Sequence, residues 1–290
     1  MRGAAFLLCV ALLLPAVCCA PVTAGAARTQ TPPKVITSDT RWSGAIDVKG
    51  EVTVQKGATL TIAPGTVVKF SDGKNGEQGG LKIFGTIIAK GVRGRRIVFT
   101  SDKKTRGAWN EIFIQHAGPS VISRADFRHA TWGLHVHFTK IEISHCLFTG
   151  GVGGMRFRSG PMLIRKNLFI GNHFGLRAYF ADADITGNTV TGNKIGIFVS
   201  QGPEGLKIHG NNIYGNKWYN LRIGDFEPKT VNVSGNWWGS VREKAIKSGI
   251  YDKRRYSQVG LAVYEPFLAA PAAHAPAAPA AQTDENGGRR

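Results

Sequence analysis

Apolar and polar residues alternate along most of this chain in short runs broken by Gly and Asn. Leu134-His135-Val136-His137, Met155-Arg156-Phe157-Arg158, Leu176-Arg177-Ala178-Tyr179 and Ile197-Phe198-Val199-Ser200 are successive examples. A period of two marks strands with one face buried, and no run holds a 3.6-residue period long enough for a helix of useful length. The runs belong to an internal repeat. Ile122-Ser123-Arg124-Ala125, Ile143-Ser144-His145-Cys146, Ile164-Arg165-Lys166-Asn167, Ile185-Thr186-Gly187-Asn188, Ile208-His209-Gly210-Asn211 and Val233-Ser234-Gly235-Asn236 share one ending. The first four are spaced by 21 residues, the next intervals being 23 and 25. Five residues after each head comes a second apolar position: Phe127, Phe148, Phe169, Val190, Ile213 and Trp238. Further turns follow at Gly150-Gly151, Gly171-Asn172, Gly192-Asn193 and Gly215-Asn216.

A unit this short cannot bury its apolar side alone, so the units must stack. Three strands per coil fit 21 residues. The expected fold is all-β: a right-handed parallel β-helix, a single-stranded solenoid of about nine coils. The isoleucine, phenylalanine and strand columns point inward. Asn167, Asn188, Asn211 and Asn236 suit a ladder of turn amides, because Asn tolerates the left-handed region and can bond along the stack.

The repeats resemble right-handed parallel β-helix proteins of the pectate-lyase-like group, in its subfamily of carbohydrate-binding and sugar-hydrolase repeats. Trp42-Ser43-Gly44, Val52-Thr53-Val54 and Gly57 through Phe70 are similar to the first coils of bacterial secreted members, as are Gly85 to Ala89, Ile97 to Thr100 and Trp109 to Ile112. Asn236-Trp237-Trp238-Gly239, Ile250-Tyr251-Asp252 and Tyr264 to Leu268 resemble the last coil and cap. The resemblance covers residues 35–268 and speaks for fold more than for function. Residues 241–248 could form a short capping helix. Two loops depart from the group. Arg93-Gly94-Arg95-Arg96 and Lys253-Arg254-Arg255 stand where acids are usual, which shifts the expectation from calcium toward anion binding.

The two ends read differently. Arg2 followed by the apolar run Ala4–Leu14 and the A-x-A site Ala24-Gly25-Ala26 reads as a secretory signal over residues 1–26, too short to span a bilayer. The residues before Cys18 and Cys19 fit a lipidation site poorly. Residues 27–34 read as a linker, and the Ala/Pro-rich residues 269–290 as a flexible tail. The expectation is an exported protein, periplasmic, at the cell surface or extracellular, and not membrane-spanning. With the signal removed, Cys146 is the remaining cysteine, so the mature chain forms no internal disulfide. Backbone pairing and packing must then hold the fold.

Composition adds the partner. Lys and Arg total 37 against 19 Asp and Glu, a net charge of +18, or +17 once the signal with its single Arg2 is gone. Such a balance favours anionic partners. Export and the lack of any nucleic-acid motif argue against nucleic acid, leaving an anionic polysaccharide or cell-envelope polymer. Alternation puts His135, Arg156, Arg177 and Phe198 in one outward column, continued by Arg222, and His137, Arg158, Tyr179 and Ser200 in the next. Coils about 4.8 Å apart would stack like charges, which is unfavourable without a counter-charge. Arg forks suit carboxylate or sulfate, and Tyr179 and Phe198 suit sugar faces.

The expected function is therefore non-catalytic binding of such a polymer, with no cofactor, no metal and no catalytic residue assigned. Two alternatives stay open. A metal-free polysaccharide lyase could act on a uronic-acid polymer through Tyr179 or His137 with Arg156 and Arg177. A structural envelope protein would instead pair its charges locally. The same fold group includes a periplasmic copper-accessory protein. His135-x-His137, with His129 and His145 nearby in sequence, offers two imidazoles on one strand face, short of the further ligand that such a site needs. Glu142 and Asp184, about 9.6 Å apart in one column, are too distant to share calcium.

Overall fold

Each repeat contributes three short strands, and successive repeats lay them down in register. A computed structural model of the chain describes residues 29–279 apart from 203 and 226. The signal reading of residues 1–26 lies outside the described residues, as do 280–290. Among the described residues, three long parallel sheets of ten, eight and eight strands run along one axis, with a two-stranded sheet near the C-terminal end. The first sheet contains Trp109–Gln115, Ala130–His137, Gly153–Arg158, Phe174–Tyr179, Ile195–Ser200 and Tyr219–Ile223. The second contains Ser120–Ser123, Ile141–Ser144, Met162–Arg165, Ala183–Thr186 and Leu206–His209. The third contains Ala125–Arg128, Leu147–Thr149, Leu168–Ile170, Thr189–Thr191 and Asn212–Tyr214.

The core consists of aligned columns. Ile122, Ile143, Ile164, Ile185 and Ile208 are partners on successive coils and all are buried. Phe99, Phe127, Phe148 and Phe169 form a stack with ring centroids 4.9, 4.6 and 4.6 Å apart, which Val190 and Ile213 continue. Full burial of each such side chain contributes about 1.5–3 kcal/mol before ordering costs. Offset stacking at this spacing adds to it.

The asparagine ladder forms as the repeat implies. The backbone N–H and Nδ2 of Asn167 both donate to Oδ1 of Asn188, at 2.9 and 3.0 Å. Asn188 repeats the pattern onto Asn211, and Asn211 onto Asn236. Cys146 fills the next position of that column, its N–H donating to Asn167 Oδ1. Burial pushes its thiol up to about 12, so it is inert as a nucleophile. A second ladder stands where the sequence showed only turns. Asn172, Asn193, Asn216 and Asn220 are bonded in series in the same way.

The ends of the solenoid differ from the expected linker and tail. Gln30, placed in the linker, already pairs with Ile46 and extends the third sheet. Residues 269–279, placed in the flexible tail, run back along that sheet. Ala272 N–H donates to Asn212 Oδ1 at 2.7 Å, and Thr189 Oγ1 donates to the carbonyl of Pro276 at 2.5 Å. Composition gave no sign of this because the anchors are backbone groups meeting polar side chains of the sheet. The capping helix spans Glu243–Ser248 and buries Ile246.

Both basic loops are absorbed by the fold. Arg96 bonds Asp126 and the carbonyls of Ala125 and His145. Arg95 bonds the carbonyl of Pro64. Arg254 pairs with the buried Asp252, and Arg255 bonds the carbonyls of Ile250 and Ser248. The expected shift of these loops toward anion binding is corrected accordingly, because their guanidiniums are spent on internal acceptors.

Candidate functional site

The outward columns of the first sheet align as the alternation requires. Phe113, His135, Arg156, Arg177, Phe198 and Arg222 are partners on successive coils, and so are Gln115, His137, Arg158, Tyr179 and Ser200. Six of the residues singled out from sequence, His135, His137, Arg156, Arg158, Arg177 and Tyr179, line one open cleft with Phe157, Phe180 and Gln201. The cleft encloses about 300 Å³. That is the lower end of the range for ligand sites, so it takes a short stretch of a polymer at a time. Phe198 and Arg222 continue the column past the cleft wall. The Phe198 ring lies between the guanidiniums of Arg177 and Arg222, at 5.0 and 5.8 Å.

One residue that the repeat pattern did not single out organises the cleft. Glu111, on the coil before the regular repeat begins, accepts hydrogen bonds from His135 Nδ1 at 2.9 Å and Arg156 Nη2 at 2.8 Å. It sits on the outward side of Trp109–Gln115, two positions before Phe113. Extending the alternation one coil toward the N-terminus would have found it. Partial burial pushes the Glu111 carboxyl up, but the His135 bond and the two neighbouring positive groups outweigh this and hold it below the usual carboxylate range.

From His135 the line continues to His137, whose Nε2 lies 2.8 Å from Nε2 of His135. With Nδ1–H of His135 given to Glu111, one proton is left to lie between the two Nε2 atoms. Burial, reinforced by His135, Arg158 and Arg156, pushes His137 down to about 4, with Glu111 opposing. His137 is thus neutral at pH 7. Glu111, His135 and His137 form a continuous line that ends in the cleft.

The guanidiniums are held by aromatic faces. Arg156 lies over Trp132 at 5.2 Å, Arg177 over Tyr179 at 4.8 Å, and Arg158 between Phe138 at 5.4 Å and Phe180 at 5.9 Å. Arg177 also donates to the Tyr179 hydroxyl. Stacking fixes each fork while leaving its edge for an anion. Arg158 and Arg177 have no carboxylate partner among the described residues, and Arg222 has only Asp225 at 3.9 Å. The buried Nε atoms of Arg156 and Arg177 lack a partner too.

Glu142 and Asp184 do not cross this face. They lie on the second sheet, bonded to Arg165 at 2.7 Å and His209 at 3.2 Å. Among the described residues no group of three or more His, Cys, Asp or Glu is placed to hold a metal ion. His129 and His145 occupy turns with positive φ. No helix of the described residues is long and apolar enough to cross a membrane.

No curated protein and no solved structure matches the chain. Residues 87–238, just over half of the sequence, match the family model described as the right-handed β-helix region. That stretch holds the stacked repeats, both asparagine ladders and the whole cleft. The chain belongs to the right-handed β-helix family.

Proposed function

We propose that this protein is exported and binds an anionic polysaccharide or other cell-envelope polyanion in the first-sheet cleft, without catalysis. The observation that carries the reading is the charge imbalance there. Arg156, Arg158 and Arg177 face one cleft, and the one carboxylate paired with any of them, among the described residues, is Glu111. Holding guanidiniums together in a half-buried cleft is unfavourable unless an anion arrives. Titration calorimetry with polygalacturonate tests it. The Arg156→Ala/Arg177→Ala protein is expected to bind about 100-fold more weakly, about 2.7 kcal/mol. Binding by that variant at full strength would overturn the reading.

The line from Glu111 through His135 to His137 favours a second reading, a metal-free lyase on a uronic-acid polymer. When the shared proton sits on His137 Nε2, its Nδ1 is a free base able to take the proton beside the sugar carboxylate. Arg156 and Arg177 would neutralise that carboxylate. The C–O bond to the leaving sugar breaks as the ring double bond forms, and Tyr179 protonates the leaving oxygen. Incubation with polygalacturonate, alginate and hyaluronate separates the readings. Ultraviolet absorbance from an unsaturated product supports the lyase, and its absence with binding retained supports the binding protein.

A further inference from the structure

The turn that follows the first-sheet strands borders the cleft, and it is built against conformational preference. Its residues on successive coils are His116, Phe138, Ser159, Phe180 and Gln201, all with positive φ, from 37° at Phe180 to 57° at Ser159. The left-handed region suits Gly and Asn and is disfavoured for bulky side chains, whose Cβ crowds the following carbonyl oxygen. The chain meets the same demand with glycine elsewhere, as at Gly150, Gly171, Gly192 and Gly215 on the turn after the third sheet. Large aromatic rings at 138 and 180 are therefore a costly choice, which is what a functional site accepts.

The rings are exposed, 43% at Phe138 and 51% at Phe180. Exposure is not their only mark. Ser159 on the intervening coil is small, so it leaves a slot between rings two coils apart, about 9.6 Å. The guanidinium of Arg158 occupies that slot and faces both rings. The imidazole of His116 backs Phe138, with centroids 4.7 Å apart and planes within 2°. Gly202 makes room above: a Cβ there would meet Phe180 Cδ1 at 2.6 Å. The rings are thus held in place beside a fixed cation.

We propose that Phe138 and Phe180, with Arg158 between them, form a sugar-stacking subsite that makes the cleft select a carboxylated or sulfated pyranose polymer over an anionic chain without rings. It rests on the reading of the cleft as an anion site. A pyranose presents a C–H face that packs on an aromatic ring and an edge whose anionic substituent reaches a guanidinium. A concave, cation-centred pair of rings fits that shape. A lipid surface would want apolar groups projecting from a convex rim, whereas Phe180 lines the concave cleft.

The test is calorimetric binding of the full chain to polygalacturonate and, separately, to polyphosphate, with anionic phospholipid vesicles as a third arm. The variant is Phe138→Ser/Phe180→Ser, because serine already holds this turn at Ser159. It is expected to lose about tenfold in affinity for polygalacturonate while binding polyphosphate as before. Phe180→Tyr, which keeps the ring, is expected to retain polygalacturonate binding. Equal losses for both polymers, or no loss for either, would overturn the subsite while leaving the anion reading in place. Vesicle binding that depends on the two rings would assign them to a membrane surface and also overturn it. An unaltered chain that binds neither polymer overturns the anion reading and the subsite together.

Discussion

The outward faces of the first and second sheets are built on the same coils with the same two-column geometry, yet they handle charge in opposite ways. On the second sheet, Glu142 and Asp184 alternate with Leu163 and Lys207 in one column, beside Arg165 and His209 in the next. Each acid there reaches a base on a neighbouring coil, Glu142 to Arg165 and Asp184 to His209. This is what a solvated solenoid face does when nothing else is asked of it. On the first sheet, Arg156 stacks on Arg177 and Arg158 on Tyr179, with Glu111 as the sole carboxylate paired to the cleft's arginines among the described residues. Only one of the two faces satisfies itself. The difference teaches that the basic surplus of the chain is a property of one surface and not a general coating.

The comparison breaks most readily at the arginines. Arg156→Ala/Arg177→Ala should cost about 100-fold in polygalacturonate affinity, whereas Arg165→Ala/Lys207→Ala on the second sheet should change it less than about twofold. Equal losses from the two doubles would mean that binding follows net charge and not the cleft.

Glu111 sharpens it next. Glu111→Gln leaves Arg156 and His135 without their charged partner, so the fold should lose about 1–3 kcal/mol in urea unfolding. The cleft, more positive by one charge, should bind polygalacturonate more tightly. Loss of both stability and binding would make Glu111 part of the ligand site itself and not a brace for it.

Acid provides a smaller and graded test. His137 sits at about 4 in the folded protein against an ordinary 6.5, so between these values the unfolded chain holds a proton that the native protein does not. Stability is therefore independent of this group above about pH 6.5 and falls as the pH drops toward 4. Glu111, held below its ordinary value, adds loss of the same sign at the acid end, as protonation removes its partners' charge complement. In His137→Gln the urea midpoint should fall less steeply between pH 6.5 and 4. An unchanged slope would show that the imidazole is not confined as its neighbours require.

Much of this was legible in the residues. Spacing and alternation located the coils, the Ile and Phe columns, the first asparagine ladder and both outward columns, because a solenoid repeats one local environment and period-2 alternation fixes the face. Three things were not legible, each for a physical reason. Glu111 lies on a coil ahead of the regular repeat, where no column was being followed. Phe138 and Phe180 fall just past the strands, where alternation no longer says which way a side chain points. The anchoring of residues 269–279 depends on backbone carbonyls and N–H groups that an Ala/Pro-rich composition conceals.

The smallest effect belongs to the second sheet and completes the comparison. Arg165 and Glu142 are both substantially exposed, so their attraction is screened and offset by the ordering of two long side chains. Glu142→Gln should shift stability by less than about 1 kcal/mol and leave polygalacturonate affinity unchanged at moderate salt. It would also free Arg165 at the centre of an otherwise balanced face. Polygalacturonate binding newly acquired there would show that an unpaired arginine on any strand of this solenoid suffices. Its absence would show that the cleft needs its stacked guanidiniums and aromatic walls as well as charge.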